Sequence, residues 1–330
     1  MKLSAITLAL AQLLSFKSTA AFRAGNDGNG DLMKKALEEA LLVNNPQETK
    51  PTSVADAPPI RNKILGTEVP CMFEYWSRPD IHTFGNVGFG GAVHAAMAPI
   101  ATKIIDVKAY GGVDVRKNIA AELRMLVNKT GARVADLCCG VGMSTRALES
   151  AFHDAEELVG IDTSHEMISM AGAISGHNQA INLAIARYTE LLKKVMPSTR
   201  ASRDIETNPS PFRSASTQAS YRIANAENTK LPNLSFDLVT IMYGFHEVPM
   251  EGRARILDEA RRLLRRGGHL AIVDICPTYK PAEAMLAGEP FVLEYQQNID
   301  SQLTSLNKFR FTKRKSVVPG HVNLWLLTAA

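Results

Sequence analysis

Residues 132–150, ARVADLCCGVGMSTRALES, decide the fold. Val134, Ala135, Leu137, Cys138 and Cys139 make the first half a short apolar run, the pattern of a strand covered on both faces. Gly140 and Gly142 turn the chain, and a helix is expected from about Met143 to Phe152. A glycine turn between strand and helix brings backbone N–H groups close to a ligand at the positive end of a helix dipole. The next strand, ELVGID at 157–162, closes on Asp162, 20 residues beyond Gly142. At that spacing an acid accepts hydrogen bonds from ribose hydroxyls, so the ligand expected here is a nucleoside. No GxxxxGK[ST] element is present to cradle a triphosphate, and Asp136 would set a carboxylate against a pyrophosphate. A cationic cofactor suits the turn better. The third glycine of GxGxxG is also missing, which argues against a nicotinamide-dependent oxidoreductase.

Outward from this stretch, strands alternate with helices, the sign of a parallel sheet with helices on both faces. A helix from His165 should run in two parts to about Val195, followed by an insert over 197–220 rich in Pro, Ser, Thr and Arg. YRIANAE (221–227) and FDLVTIMYGF (236–245) supply the third and fourth strands. Ile256, Leu257, Ala260, Leu263 and Leu264 recur at helical spacing, and Gly267 with Gly268 should end that helix before the strand HLAIVDI (269–275). One long helix is expected over 281–306. Two strands, 308–318 and 321–328, then meet at Pro319–Gly320 in a tight turn.

Over about residues 132–330 these motifs resemble the class I S-adenosylmethionine-dependent methyltransferases, within their small-molecule branch. The resemblance implies a doubly wound, Rossmann-like α/β fold of seven strands with a reversed terminal strand, and S-adenosyl-L-methionine as cofactor. ADLCCGVGMST is similar to the first motif of the family, with Asp136, Gly140 and Gly142 in place and Cys138 standing where the first glycine is usual. By the same resemblance Asp136 is expected near the amino group of the methionine moiety. GIDTSHEMISMA is similar to the second motif and implies Asp162 on the ribose, with Thr163 and Met167 flanking the adenine. Asn225, followed by Ala226, stands where many relatives carry Asp, and its carbonyl oxygen can accept from the adenine amino group. Tyr243 is expected to touch the cofactor. His246, after the fourth strand, is the expected general base for a hydroxyl acceptor, with Glu247 second. The acceptor expected is a small molecule, quinone, phenolic or lipid-like, and the alternative is a scaffold that binds the cofactor without transfer.

Composition narrows the remaining choices. Against 33 Asp and Glu, 37 Lys and Arg leave a net charge of +4 over 330 residues, too small for a dedicated nucleic-acid binder. Arg253, Arg255, Arg261, Arg262, Arg265 and Arg266 are interrupted by Asp258 and Glu259, as on a solvated helix face. The lysines and arginines between Lys308 and Lys315 suit a guarded sheet edge. Cys71, Cys138, Cys139 and Cys276 form no CxxC pair, so neither a disulfide framework nor a metal site is expected.

The N-terminal third divides into a signal peptide at 1–21, a transit or linker segment at 22–70 with a short helix over Asp31–Val43, and a helical cap at 71–128. The cap holds an apolar helical run from Ala92 to Ile105 and the unassigned Trp76, His82, Asn86 and His94. The catalytic domain is expected over 129–330. Residues 3–14 are too few for a membrane span. The Ala21–Phe22 junction resembles the two-part plastid presequence of diatoms and related algae, with simple secretion as the alternative. Replacing Phe22 by Ala is therefore expected to divert a fluorescent fusion of the full chain from plastid to secretory route, and continued plastid delivery would remove the aromatic signal.

Overall fold

A computed structural model describes residues 63–64, 67–68, 75–77, 88–175 and 218–330. The chain divides into two compact units, Met1–Met72 and Phe73–Ala330. In the first, the described residues form a two-residue antiparallel ladder of Lys63–Ile64 with Thr67–Glu68. The expected presequence, the helix over Asp31–Val43, the continuation of the helix beyond Ser175 and nearly all of the Pro- and Ser-rich insert lie outside the described residues, as do His82 and Asn86.

The second unit is built on seven strands: β1 (Arg133–Leu137), β2 (Glu157–Asp162), β3 (Ser220–Ile223), β4 (Phe236–Met242), β5 (Leu264–Ile275), β6 (Phe309–Val318) and β7 (Val322–Ala329). Their order is β3-β2-β1-β4-β5-β7-β6. β1 to β5 run parallel, and β7 is antiparallel to both its neighbours. This is the expected doubly wound sheet with its reversed terminal strand. β1, β2 and β4 are almost wholly buried, which is why they read as continuous apolar runs rather than alternating ones.

Helices cover both faces. On one, α5 (Met250–Leu263) and α7 (Val292–Thr304) pack Ile256, Leu257, Tyr295 and Ile299 against Phe245 and Trp325. On the other, α2 (Val115–Val127) and α3 (Met143–Ala151) pack Ile119, Leu123, Leu148 and Phe152 against Val134 and Leu238. Asp114 starts α2 by accepting the amide of Lys117, and Asn128 ends it at a φ of 39°. Although it falls in the expected cap region, α2 thus belongs to the layers of the sheet. The run expected over 92–105 forms the middle of α1 (Gly88–Lys108), which packs Ala95 beside Met167 and Ile174 of α4 (His165–Ser175).

Three expectations need correction. Gly267 and Gly268 do not end α5: the helix stops at Leu263, and Leu264 already pairs with Phe236 of β4. Leu263 and Leu264 are both fully buried, so the core claims the second as a strand residue. The glycines instead fill a break in register between Leu264 and His269, where Gly267 takes a φ of 78°. The helix expected over 281–306 is two, α6 (Glu283–Gly288) and α7, parted at Pro290. Proline has no amide to donate and pushes Glu289 out of the helical region. Finally, the α5 arginines are not one solvated face. Arg253 is fully buried and donates to the Val248 carbonyl, Glu294 and Gln302, while Arg255 pairs with Glu227.

β6 is the guarded edge that was expected, with Lys315 on Glu122 and Arg314 on Asp300. Among the described residues, no helix is long and apolar enough to cross a membrane and no group of three His, Cys, Asp or Glu could hold a metal.

Candidate active site

A cavity opens at the C-terminal ends of β1, β2 and β4, where crossovers leave the sheet in opposite directions and ligands bind in such folds. Its floor is the turn after β1. Cys138 and Gly140 take left-handed conformations, with φ of 57° and 54°. The cysteine at the position of the usual first glycine thus keeps the glycine-type backbone, at a cost of about 1–3 kcal/mol. A Cβ on Gly140 would meet nothing within 4 Å, so the turn bends around open space. Gly142 behaves differently: its φ is 73°, and a Cβ there would lie 2.7 Å from the Tyr221 ring. It does not line the cavity but lets β3 pack against the start of α3.

Asp162 lines the cavity and ties its parts together. One carboxylate oxygen accepts the Gly140 amide at 2.8 Å and the other the Ser164 amide at 2.9 Å. Burial pushes this carboxyl up, and the Ser164 and Gly140 amides pull it back. The Thr163 amide also pulls it down, and the carboxylate keeps acceptor capacity for a further donor. Thr163, Met167, Asn225 and Ala226 line the same end. The Asn225 Oδ1 already accepts the Glu227 amide at 2.8 Å, leaving one acceptor site for an exocyclic amine. Cys138, Cys139 and Gly140 complete the floor, and burial holds both thiols well above their ordinary range.

Besides Gly142, two expected site residues stand behind the wall rather than on it. Asp136 pairs in register with Gly160 and Thr240 in mid-sheet and is fully buried. Its oxygens accept the hydroxyls of Thr145 at 2.7 Å and Thr240 at 2.6 Å. Burial pushes it up to about 6, with the two threonines and Arg116 opposing. Asp136 therefore fastens β1 to β4 and α3 and does not reach the cavity.

His246 is the second. It sits in a 3-10 turn (Phe245–Glu247) after β4, buried and off the cavity lining. Its Nδ1 is 2.6 Å from Asp274, and its Nε2 lies 3.4 Å from Glu289 and 3.9 Å from Glu247. Burial disfavours the charged ring, but Asp274, then Glu289 and Glu247, outweigh it and push His246 up to about 10. The three carboxylates thus favour the charged ring, and Asp274 occupies its Nδ1. Its neighbour Glu247 does line the cavity, as do Tyr243, Trp76 and His94.

Arg116 is among the lining residues that sequence reading missed, with Tyr75, Met143 and Met242. Its guanidinium lies 4.2 Å from the centre of the Tyr243 ring. The signal was present: Arg116, Ala120 and Leu123 share one helical face at i, i+4 and i+7, so an arginine stands on an otherwise apolar stripe.

Residues 135–272 match the methyltransferase domain family. A 2-phytyl-1,4-naphtoquinone methyltransferase of Synechococcus elongatus is 25% identical over 185 residues, which cover 56% of this chain and 63% of that protein. A ubiquinone/menaquinone biosynthesis C-methyltransferase of Hydrogenovibrio crunogenus is 28% identical over 129 residues, 38% of this chain and 48% of that one. The chain thus spans less than two thirds of these relatives. Among solved structures, a SAM-dependent methyltransferase from Aquifex aeolicus aligns over 70% of this chain and 98% of its own, at 16% identity and a TM-score of 0.45.

Two outcomes are expected. The folded pKa of His246 is raised above its ordinary 6.5, so its charge contributes stability in full below about 6.5 and loses it as pH rises toward about 10. Urea midpoints should fall from pH 7 to 10, and His246→Gln should cost about 3–5 kcal/mol at pH 7 while flattening that slope. An unchanged slope would show that the ring is neutral in the folded state. The glycines should separate: Gly142→Ala should lower thermal stability by more than ~1 kcal/mol through strain and its clash with Tyr221. Gly140→Ala, strained but unopposed, should unfold later than Gly142→Ala and weaken nucleoside binding more, as thermal melts and calorimetry would report.

Proposed function

We propose that this chain, whose residues 135–272 match the methyltransferase domain family, is a class I S-adenosylmethionine-dependent methyltransferase that transfers a methyl group from S-adenosyl-L-methionine to a small quinone, phenolic or lipid-like acceptor. The observation that carries this reading is Asp162, fixed at the end of β2 by the Gly140 amide and lining the cavity beside an open glycine turn. The donor set fits the cofactor. Asp162 suits ribose hydroxyls, Asn225 with Ala226 and Met167 suits adenine, and Met143 and Met242 present soft apolar surface to a sulfonium.

The cofactor supplies an already activated methyl group, so alignment and exclusion of water are the main demands on the protein. Asp162 orients the nucleoside. Tyr75 and Trp76, stacked edge to face with ring centres 5.0 Å apart, close the cavity from the N-terminal side. A phenolic or quinol acceptor must also lose a proton. With His246 off the lining and its Nδ1 on Asp274, Glu247, which does line the cavity, is the group placed to hold that proton. The quinone class draws its support from the names of the curated relatives and from the aromatic and methionine side chains of the cavity.

Calorimetry on the full chain should detect S-adenosylhomocysteine, and Asp162→Ala should weaken it by about 1.5–3 kcal/mol. Incubation with labelled S-adenosylmethionine and reduced 2-phytyl-1,4-naphthoquinone should yield a labelled, methylated product by mass spectrometry. Protection by a nicotinamide dinucleotide but not by either S-adenosyl compound would overturn the reading. Binding without product from any quinol or phenol would leave a scaffold.

A further inference from the structure

We infer that the indole of Trp76 is the plate on which a planar ring of the acceptor stacks, and that Tyr75, braced over Gly252, is the positioning residue that holds it; the inference rests on the methyl-transfer reading above. Tyr75 and Trp76 both line the cavity, from a 3-10 turn (Tyr75–Ser77) that precedes α1. Their rings meet at 82°. An edge-to-face pair uses at most one face of each ring, so at least one face of the indole is untouched by Tyr75. Tyr75 is itself held from several sides. Its hydroxyl hydrogen-bonds to Glu227, whose side chain is 4% exposed and paired with Arg255. Burial above all pushes the phenol upward, so it stays protonated and donates. Phe291 lies edge to face against its ring, with centres 6.2 Å apart.

Gly252, in the first turn of α5, completes the brace. A Cβ there would lie 3.0 Å from the Tyr75 hydroxyl and 2.8 Å from Val248. Its φ is not left-handed, and glycine is a poor helix former, so neither the backbone nor the helix calls for it. The room taken by Tyr75 and Val248 does. Their meeting over Gly252 also fixes which ligand the pair faces. Val248 follows Glu247 in the turn after β4, so the aromatic pair stands beside the group placed to hold the acceptor's proton. Asp162, the ribose seat, ends β2, which β1 separates from β4. A flat ring laid on the indole keeps its reacting atom at one height, as in-line attack on a methyl group requires. A puckered ring gains nothing from the plate.

The test saturates the full chain with S-adenosylhomocysteine and measures, by calorimetry, its affinity for 1-naphthol and for decahydro-1-naphthol, which keeps the hydroxyl and the two fused rings but is not planar. Wild type should prefer the planar ring by ~3- to 10-fold, the range for an aromatic pair. Trp76→Leu should erase that preference and leave the affinity for S-adenosylhomocysteine unchanged, while Trp76→Phe should keep part of it. Gly252→Ala, off the cavity lining, should lower the preference by displacing Tyr75. Equal affinity for the two naphthols in wild type, or a preference that survives in Trp76→Leu, would overturn the inference. Weaker binding of S-adenosylhomocysteine to Trp76→Leu would also overturn it, by putting the indole on the adenine. A preference untouched by Gly252→Ala would remove Tyr75 as the brace; should that variant fail to fold by thermal melt, Tyr75→Leu decides the point. Binding of S-adenosylhomocysteine but of neither naphthol would refute the plate alone, whereas no binding of S-adenosylhomocysteine would bring down the cofactor reading itself.

Discussion

The amide of Gly140 donating to Asp162 is the contact on which the rest of the site depends. β1 and β2 run in parallel register up to Leu137 and Ile161, and the Cys139 amide extends the ladder by one bond to the Ile161 carbonyl at 2.9 Å. The carboxylate then captures the next amide and locks the turn to the neighbouring strand. That lock stabilises two departures from ordinary backbone, at Cys138 and Gly140 on either side of Cys139, and sets where α3 begins. It also leaves the turn facing space that no side chain fills.

The opposite wall depends on a second carboxylate. Asp274, buried near the end of β5, accepts the amides of Phe245 at 2.8 Å, His246 at 3.2 Å and Ile275 at 2.7 Å, as well as the His246 ring. Those bonds shape the turn after β4 and so aim Glu247 and Val248 at the cavity. Arg253 fastens the same turn to α7 through the Val248 carbonyl and Glu294. Arg253 is an interior cation, and the carboxylates around His246 favour its charged ring as well. Each is tolerable because a partner stands beside it, and removing one partner leaves a charge that the interior cannot solvate.

The break at Pro290 belongs to this arrangement. An uninterrupted helix over 281–306 would give Glu289 helical neighbours in place of its position between α6 and α7, where its carboxylate approaches the His246 Nε2. The proline thus acts on the charge of a histidine more than 40 residues earlier in the chain.

The sheet was legible in the sequence, and so was the turn that Asp162 ties to it. Strands buried on both faces are legible as apolar runs, and the Gly140 turn and Asp162 are tied to those strand ends by short-range geometry. Only the tertiary structure decided what the isolated letters could not carry. Asp136 reads as a cofactor ligand until Thr145 and Thr240 claim its oxygens, the latter from 104 residues away. His246 reads as a base until Asp274 and Glu289 converge on its ring. Arg116 reads as part of a cap until α2 folds onto the sheet beside Tyr243 and leaves its buried Nε without a hydrogen-bond partner. In each case the property in question, a proton, a lone pair or an unpaired donor, is set by burial and by charges within a few ångströms, and both come from residues distant in the chain.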